Sequence, residues 1–342
     1  RQQRYMMKDS TAPLVAGIVG GGTSTILLYP LDLIKVRLQV NEGDRTNSLS
    51  RPKYITSWQL FRSVVRHEGV LGLYQGMAPA IIGNSVAWGG YFFVYERMKS
   101  SYGQYRYPSK NNDFTTHHQY HFNALEYFAM ACSSGAILVG VTNPFWLIKT
   151  RMQLQLRRAA TEEGKQHGLK KPYKGMIDAA RTIVREEGMI SLYKGALPAL
   201  LLTSHGGVQF VVYEYLKRYF NVTDAVRDPS LSVSDRFQLS FGYLSMGATS
   251  KIIASTTTYP LQVIKSRIQQ RDQNLELKAS GKVKVVNRAY SGVIYTIKRI
   301  YRKEGLYTFL NGAIPNALRV APAGAVTFVV YETVLDFISS TL

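Results

Sequence analysis

The sequence is poor in cysteine and in acidic residues, and each shortage excludes a class of protein. Cys132 is the only cysteine among 342 residues, so disulfides within the chain and cysteine-based zinc sites are excluded. Asp and Glu number 22 against 42 Lys and Arg, which gives a formal net charge of +20. Such an excess is typical of proteins that bind nucleic acid, an anionic membrane surface or an anionic small molecule.

The chain also lacks the residue patterns that catalysis or metal binding would need. Its six His include an adjacent pair, His117 and His118, in a polar stretch, and no His, Cys and Asp set has the spacing of metal ligands. The glycines at 20–22 lack the spacing of a dinucleotide-binding loop and lie in an apolar run, which favours helix packing. A membrane-bound enzyme would need a nucleophile, a metal or a redox centre, so we predict a protein that is not an enzyme. Residues 1–8 are basic and polar, and we expect no cleavable signal peptide there.

What the sequence has instead is one nine-residue pattern, written three times. Each copy has proline second, lysine seventh and arginine ninth, and the three prolines are 114 and 116 residues apart: Pro30, Pro144 and Pro260. Self-similarity at a fixed period indicates homologous units that are each too small to bury a core alone. We therefore predict one fused domain of three repeats, over residues 11–102, 123–220 and 236–339.

Each repeat is predicted to form a long helix, an amphipathic surface helix and a second long helix. The six long segments suit a hydrocarbon core of roughly 30 Å, which needs about 20 residues of helix. The prolines should kink the first long helix of each repeat, and the second long helices should cover about 79–99, 198–217 and 315–335. The mean hydropathy of −0.10 is low for a membrane protein because apolar windows alternate with basic connections.

The basic residues are concentrated in the connections between the two long helices of each repeat. Residues 35–75, 149–194 and 265–311 hold 29 of the 42 Lys and Arg. With six spans, these connections all lie on one side of the membrane, and the positive-inside bias sets the orientation. This alternation argues against nucleic-acid binding, which would need a compact basic face with stacking aromatics.

The full pattern over residues 11–339 is Pro-x-Asp/Glu-x-x-Lys/Arg-x-Arg, then Glu-Gly, then aromatic-x-Gly. It occurs three times with three exceptions: Trp146 and Gln262 replace two acids, and Leu310 replaces one aromatic residue. In this the chain resembles the mitochondrial carrier family. The resemblance implies an all-α membrane protein with six transmembrane helices in three pseudo-threefold repeats, each with a short matrix surface helix, around a central cavity. It also implies a monomer in the mitochondrial inner membrane, termini toward the intermembrane space and transport by alternating access. Cardiolipin is the lipid expected at five glycines: Gly76, Gly175, Gly195, Gly292 and Gly312.

The proline pattern predicts a ring of side chains that closes one end of the cavity. An acid two residues after the proline and a lysine three residues later share a helix face, so threefold symmetry pairs the acid of one repeat with the lysine of the next. Two of the three acid places hold a tryptophan and a glutamine, so only one ion pair is expected. The family resemblance implies that three further glutamines brace the ring. We call these nine residues the matrix gate: Asp32, Lys35, Gln39, Trp146, Lys149, Gln153, Gln262, Lys265 and Gln269.

A similar set is expected to close the opposite end, where Leu335 takes the place of a third lysine. We call it the cytoplasmic gate: Tyr95, Glu96, Lys99, Tyr213, Glu214, Lys217, Tyr331 and Glu332. Because both gates have fewer ion pairs than the pattern allows, we expect a lower barrier to reopening, which suits a large cargo.

Alignment of the three repeats shows where they differ. Nine residues before the three prolines stand Gly21, Gly135 and Lys251. Seven residues after the last glycine of each aromatic-x-Gly motif (Gly76, Gly195 and Gly312) stand Gly83, Leu202 and Arg319. In the family that the chain resembles, these last three positions are contact points for the cargo. Two cations at mid-depth indicate an anion such as a diphosphate or a dicarboxylate. A structural partner such as a buried acid is the alternative.

Aromatic side chains near these cations indicate the class of cargo. Asn84, Trp88 and Tyr91 lie nearly on one helix face and could stack on a planar ring. An interface belt is the alternative, although it would place tryptophan near the helix ends. The predicted cargo site is therefore Gly83, Asn84, Trp88, Tyr91, Leu202, Thr203, Lys251 and Arg319.

Two signature positions narrow the cargo further. Trp146 and Gln262 resemble the FAD and folate carriers within the family, so FAD is the predicted cargo and no cofactor is expected. A folate carrier is the first alternative, followed by the NAD and pyrimidine nucleotide carriers of the same branch. A proton-leak carrier is a further alternative.

Overall fold

The structure is a computed structural model that describes residues 2–40, 56–106, 122–155, 171–220, 233–270, 273–277, 283–287 and 292–341. Of the predicted site residues, only the side chains of Trp88 and Glu332 lie outside this description. The predicted polar connections of the first two repeats, and the stretch with His117 and His118, also lie outside it.

Three similar sets of helices follow one another along the chain. The first repeat holds α1 (Gln2–Val40), α2 (Ser57–Glu68) and α3 (Met77–Arg106). The second holds α4 (Ala124–Leu154), α5 (Met176–Glu187), α6 (Ala196–Leu201) and α7 (Ser204–Tyr219). The third holds α8 (Val233–Thr257), α9 (Tyr259–Gln269), α10 (Val293–Lys303) and α11 (Ala313–Thr341). The predicted fold class is confirmed.

One small element was not predicted. Strands β1 (Gln273–Leu277) and β2 (Val283–Asn287) form an antiparallel hairpin between α9 and α10, with Gln273 opposite Asn287. The hairpin belongs to the third basic connection and adds a two-stranded sheet to a fold that is otherwise helical in the described residues.

The long segments close into a ring around the cavity. Around the ring, α1 packs against α3, α3 against α4, α4 against α6, α7 against α8, α8 against α11 and α11 against α1. Inside the ring α1, α4 and α9 also contact one another pairwise. These three helices carry the proline patterns, so the three copies meet at one end of the cavity.

The surface helices α2, α5 and α10 are amphipathic, and each buries its apolar face beneath the proline-bearing helix of its own repeat. In the first repeat Leu60 and Val64 of α2 pack against Leu33, Ile34 and Leu38 of α1. Burial of each such side chain stabilises the fold by about 1.5–3 kcal/mol. Ile183 packs in the same way beneath α4, and Ile300 beneath α9. The packing fixes the surface helices at the end of the cavity where the three patterns meet.

Two long segments are interrupted rather than continuous. The helix predicted over 198–217 is broken between α6 and α7, where the Oγ1 of Thr203 donates to the carbonyl of Leu200 and the Oγ of Ser204 to that of Leu201. Such side-chain bonds compete with the helical backbone pattern. In the third repeat, α8 ends and α9 begins on either side of Thr258, whereas α1 and α4 continue through their prolines.

Four helical stretches of the described residues are long and apolar enough to cross a membrane: Ala16–Val40, Ala129–Leu154, Met189–Tyr219 and Leu306–Tyr331. The other two long segments, α3 and α8, have the length but hold more polar residues. Lys251 lies within α8 and Asn84 within α3. Length therefore agrees with six spans, and apolar composition marks four of them.

Candidate functional site

A cavity of about 300 Å³ lies inside the ring, above the place where α1, α4 and α9 meet. All nine residues of the matrix gate line it. Leu202, Lys251 and Arg319 of the predicted cargo site line it as well. The other side chains of its polar lining include His205, Ser255 and Asn316, which sequence reasoning did not select.

The lining of this cavity is strongly cationic. Asp32 is the single carboxylate among the described residues that line it, and the cations are Lys35, Lys149, Lys251, Lys265 and Arg319. Five cationic side chains and one anionic side chain leave a formal excess of four positive charges. A cleft lined by charge of one sign attracts ligands of the opposite sign, because its low-dielectric walls focus the field.

Two lysines of the matrix gate contact the acid place of a neighbouring repeat, one through an ion pair and one through a hydrogen bond. The Nζ of Lys149 lies 2.7 Å from the Oδ2 of Asp32, and both side chains are 15% exposed. The Nζ of Lys35 donates to the Oε1 of Gln262 at 2.8 Å. Both contacts join the partners that the threefold argument paired from the sequence. In the second contact Lys35 still has a partner, although Gln262 stands where the pattern would have an acid.

The third junction of the matrix gate is aromatic. The Nζ atoms of Lys149 and Lys265 lie 5.3 and 5.7 Å from the ring centroid of Trp146. These are cation–π distances, at which the negative face of the ring attracts an ammonium group. Trp146 therefore attracts two lysines, one from its own repeat and one from the next, without adding a negative charge to the gate.

The bracing glutamines contact neighbouring repeats in two ways. The Oε1 of Gln39 accepts a hydrogen bond from Ser266 at 2.7 Å, and the Oε1 of Gln269 accepts one from Thr150 at 3.0 Å. Ser266 and Thr150 occupy the same place in their repeats, six residues after the proline. The same contact between a glutamine and a hydroxyl therefore occurs twice, with the hydroxyl supplied once by the second repeat and once by the third.

Gln153 differs because the hydroxyl that it would meet is missing. The first repeat has Val36 six residues after its proline, and a valine offers no hydrogen bond. The Nε2 of Gln153 instead donates to Asp32 and to the hydroxyl of Tyr29, each at 3.1 Å. This bond gives the carboxylate of Asp32 a second partner besides Lys149.

An arginine seam, formed by Arg37, Arg151 and Arg267, joins the three repeats below the gate. In each repeat the ninth residue of the pattern pairs with the glutamate of the Glu-Gly motif, as Arg37 does with Glu68 at 2.5 and 2.9 Å. The Nε of Arg37 also donates to the carbonyl of Gln153 in the next repeat at 2.9 Å. Bidentate pairs of this kind combine charge with fixed geometry.

The seam continues around the ring. Arg151 binds Glu187 at 2.6 and 2.8 Å and reaches the carbonyl of Gln269, and Arg267 binds Glu304 and reaches the carbonyl of Gln39. Sequence reasoning noted these arginines and glutamates but gave them no partners. The signal was present, because both recur at fixed places in all three repeats.

Glu187 shows the electrostatic effect of the seam at the end of α5. Burial by itself would raise the pKa of this carboxyl, but hydrogen bonds and charge from Arg151, and then from Lys194, outweigh burial and lower the pKa to about 2. Glu187 therefore stays ionised well below neutral pH, and the pair with Arg151 persists there.

The predicted cytoplasmic gate is described only in part, because the side chain of Glu332 lies outside the described residues. Among the side chains that the structure describes, Glu96, Lys99 and Glu214 make no ion pair with one another. Tyr95 stacks on Tyr91 with the ring centroids 6.1 Å apart. Tyr213, Lys217 and Tyr331 are partly buried on α7 and α11. The cavity is thus closed by bonds between repeats at the matrix gate.

The predicted cargo residues separate into two groups. Lys251, Leu202 and Arg319 line the cavity, whereas Gly83, Asn84, Tyr91 and Thr203 are outside its lining. Gly83 faces α4 closely, since a Cβ there would lie 3.2 Å from the Cβ of Phe145. Their roles as cargo and gate residues stay predictions.

Arg319 has an acid nearby. Its Nε lies 3.7 Å from the Oδ1 of Asp32, and that Nε has no hydrogen-bonding partner among the described residues. The alternative that a buried acid is the structural partner of this cation therefore holds in part. Asp32 lies near Arg319, but it pairs with Lys149 at a shorter distance.

Among the cavity-lining residues that sequence reasoning missed, His205 breaks the threefold symmetry. Counted from the aromatic-x-Gly glycines, His205 corresponds to Val86 and Pro322. Its Nδ1 lies 3.1 Å from the Oγ1 of Thr258, at the junction of α8 and α9. Repeat alignment would have found His205, but only the fold shows that it faces the cavity. Among the described residues no group of three His, Cys, Asp or Glu side chains could hold a metal ion.

Comparison with known proteins places this geometry in a family. The model of the family described as mitochondrial carrier protein matches three times, at residues 8–106, 120–223 and 238–342. A protein named Folate transporter 1, chloroplastic, from Arabidopsis thaliana is 38% identical over 323 residues, which are 94% of each chain. A protein named Nicotinamide adenine dinucleotide transporter 2, mitochondrial, from the same plant is 31% identical over 97% of this chain and 80% of its own.

A third relative is named Mitochondrial substrate carrier family protein M, from Dictyostelium discoideum. It is 32% identical over 97% of this chain and 96% of its own. The relatives are named as transporters or carriers, and the family matches cover nearly the whole sequence. The chain belongs to the mitochondrial carrier family and is a membrane solute transporter of that family.

Proposed function

We propose that this carrier moves FAD across the mitochondrial inner membrane by alternating access. The observation that carries the proposal is the charge of the cavity, in which five cations face the single carboxylate of Asp32 among the described lining residues. A cargo with two or more negative charges would offset that excess. The diphosphate of FAD meets this requirement.

Two cations are placed to hold such a group. Lys251 of α8 and Arg319 of α11 come from neighbouring helices and both line the cavity. The Nε of Arg319 has no hydrogen-bonding partner among the described residues and lies 3.7 Å from Asp32, so it can still donate to an anionic oxygen of the cargo. A guanidinium and an ammonium on neighbouring helices suit adjacent phosphate groups.

Two uncharged side chains of the same lining could hold a planar ring. Trp146 and Leu202 line the cavity on the side of the second repeat, and neither carries a charge. An aromatic face can stack on a heterocycle of any polarity, at about 1–3 kcal/mol per ring. The cavity thus combines several cations with one aromatic face, which are the two features that a flavin nucleotide would use.

Folate is the second candidate, and a relative favours it. The plant protein named as a folate transporter is 38% identical over 94% of this chain. Folate also joins a planar heterocycle to anionic groups, so the same two features of the cavity would serve it. NAD follows for the same reason, because a relative 31% identical is named as an NAD transporter.

The remaining parts of the proposal concern place and surroundings. The basic connections would face the matrix and both termini the intermembrane space, because positive loops stay on the inner side. The protein would act as a monomer without catalysing a reaction. Cardiolipin would bind where Gly175 and Gly292 begin α5 and α10, since helix N-termini attract phosphate. Gly76, Gly195 and Gly312 would complete the lipid sites.

Uptake of labelled FAD into proteoliposomes tests the cargo. Wild-type protein should take up FAD faster than empty vesicles, and unlabelled FAD should compete better than folate or NAD. Arg319→Ala and Lys251→Ala should each lower uptake about tenfold or more, because each removes a charge-assisted bond of about 1.5–3 kcal/mol. Lys298→Ala is the matched control, since Lys298 is an exposed cation of the surface helix α10 and should transport normally.

Three results would count against the proposal. Stronger competition by folate than by FAD would make folate the cargo. Unchanged FAD uptake in both cavity variants would move the binding site elsewhere. Uptake equal to that of empty vesicles for FAD, folate and NAD would reject the proposed class of cargo.

A further inference from the structure

Ser255 and Asn316 form a buried neutral pair in the wall of the cavity. The Nδ2 of Asn316 donates to the Oγ of Ser255 at 2.6 Å, and the two residues are 3% and 5% exposed. Both line the cavity. Ser255 is one helical turn from Lys251 on α8, and Asn316 is one turn from Arg319 on α11. The neutral pair therefore lies beside the two cations of the proposed cargo site.

The amide of Asn316 is only half satisfied. Its Oδ1 is buried and has no hydrogen-bonding partner among the described residues. Buried polar atoms are nearly always paired, and one that lines a binding cavity without a partner needs an explanation. An Oδ1 without a partner destabilises the protein, and a cargo that donates a hydrogen bond to this atom would remove that penalty.

The fold itself does not require an amide at this place. Counted from the aromatic-x-Gly glycines, the residues that correspond to Asn316 are Ala80 and Ala199. Both alanines are buried, so the same packing position is filled by a methyl group in the other two repeats. The polar residue appears only in the repeat that also carries Lys251 and Arg319.

We propose that Asn316, positioned by Ser255, is a cargo-binding residue whose amide oxygen accepts a hydrogen bond from a hydroxyl or N–H next to the anionic group at Arg319. The proposal rests on the proposed function, in which Arg319 holds the anion of the cargo. An amide oxygen repels phosphate and carboxylate oxygens, so its partner on an anionic cargo must be a hydroxyl or N–H donor.

The spacing of the two side chains limits which donor it is. Residues three apart on a helix have Cβ atoms about 5–6 Å from each other. Both side chains therefore reach the same part of the cargo, and we expect the donor within a few bonds of the anionic group that Arg319 binds. In FAD the ribityl hydroxyl next to the phosphate ester meets this condition, whereas the N–H of the flavin ring is too far away. In folate the amide N–H beside the glutamate carboxylate meets it.

A cargo that lacks the donor tests the bond directly. In proteoliposomes, wild-type protein should show a KM roughly three- to tenfold lower for FAD than for 4′-deoxy-FAD, the size expected for one hydrogen bond. Asn316→Ala should handle the two analogues within about twofold of each other, through a higher KM for FAD alone. Ser250→Ala is the matched control, because Ser250 is buried on α8, bonds its own helix and lies outside the cavity lining.

Two outcomes would overturn the inference. One is discrimination that persists in Asn316→Ala, and the other is an equal loss of uptake for both analogues, as a purely structural role would give. Thermal unfolding checks that the variant folds. If it does not, Ser255→Ala takes its place, and it should reduce the discrimination without abolishing FAD uptake.

Failure of the proposed cargo remains distinguishable from failure of this inference. If the wild-type protein moves folate and not FAD, the comparison is made between folate and its analogue methylated on the glutamyl amide nitrogen. Discrimination lost in Asn316→Ala would then support the inference, although FAD had failed as cargo. Transport of neither compound would overturn both.

Discussion

Gln262→Glu should strengthen the matrix gate and slow transport. In the native protein the Nζ of Lys35 donates to the neutral Oε1 of Gln262 at 2.8 Å. A carboxylate there would form an ion pair with a gross attraction of about 4 kcal/mol at an effective dielectric constant of 20. Burial of the new charge costs several kcal/mol in an uncharged interior, but less beside four excess positive charges. We expect a net stabilisation of the closed gate of about 1–2 kcal/mol.

That stabilisation has two measurable consequences. The rate of gate opening should fall about five- to thirtyfold, and the maximal rate of FAD uptake should fall with it if opening limits transport. The melting temperature of the purified protein should rise by roughly 2–4 °C. One added acid also lowers the charge of the cavity, which would raise the KM for an anionic cargo.

A double-mutant cycle separates the ion pair from this general charge effect. In a Lys35→Gln background the added carboxylate has lost its partner, so Gln262→Glu should no longer slow the maximal rate or raise the melting temperature. A coupling energy below about 0.5 kcal/mol would show that the two side chains act independently. Faster uptake by Gln262→Glu alone would refute the idea that this junction holds the gate closed.

Three further predictions concern the framework below the gate. Arg267→Lys keeps the charge but loses the bidentate geometry and the bond to the carbonyl of Gln39, so it should cost about 2–4 kcal/mol of stability, seen as a fall in melting temperature. Gly312→Ala should lower the stability by about 1–3 kcal/mol, because Gly312 has φ +90° and a Cβ there would lie 2.6 Å from a tyrosine hydroxyl. The control Gly140→Ala should leave the stability unchanged or raise it, since a Cβ there would have nothing within 4 Å. The wild type should be more stable than Glu187→Gln, fully so above pH 4.5, and this difference should be lost as the pH falls toward 2. The reason is that the pKa of Glu187 is lowered to about 2, and protonation breaks the ion pair with Arg151. A stability difference that did not change with pH would show that the shape of the side chain matters there, and not its charge.

Several parts of the site followed from spacing alone. The proline pattern fixes the helix face on which its acid and lysine stand, and symmetry supplies the partner. Asp32 with Lys149 and Lys35 with Gln262 were therefore predictable before any coordinates. The contact of Lys265 with Trp146 followed in the same way, whereas the contact of Lys149 with the same ring did not.

Other parts depended on how the helices turn in the ring. The predicted face of α3 with Asn84 and Tyr91 is outside the cavity lining, because the direction of a helix face is set by its neighbours. The break after Leu201 could not be read from the sequence, since it lies inside an apolar run; in the structure it coincides with side-chain bonds of Thr203 and Ser204 to nearby carbonyls. Such local competition leaves no periodic signal.

The sequence by itself determined the repeat, the order of helices, the pairs across the gate and the cationic character of the cargo site. These follow from periodic spacing and from charges that occur in one repeat and not in the others. Only the tertiary structure decided that Ser255 meets Asn316, that the arginine seam reaches the next repeat and that His205 faces the cavity. The physical reason is that such contacts join residues far apart in the chain, and their geometry exists only after the three repeats have packed into a ring.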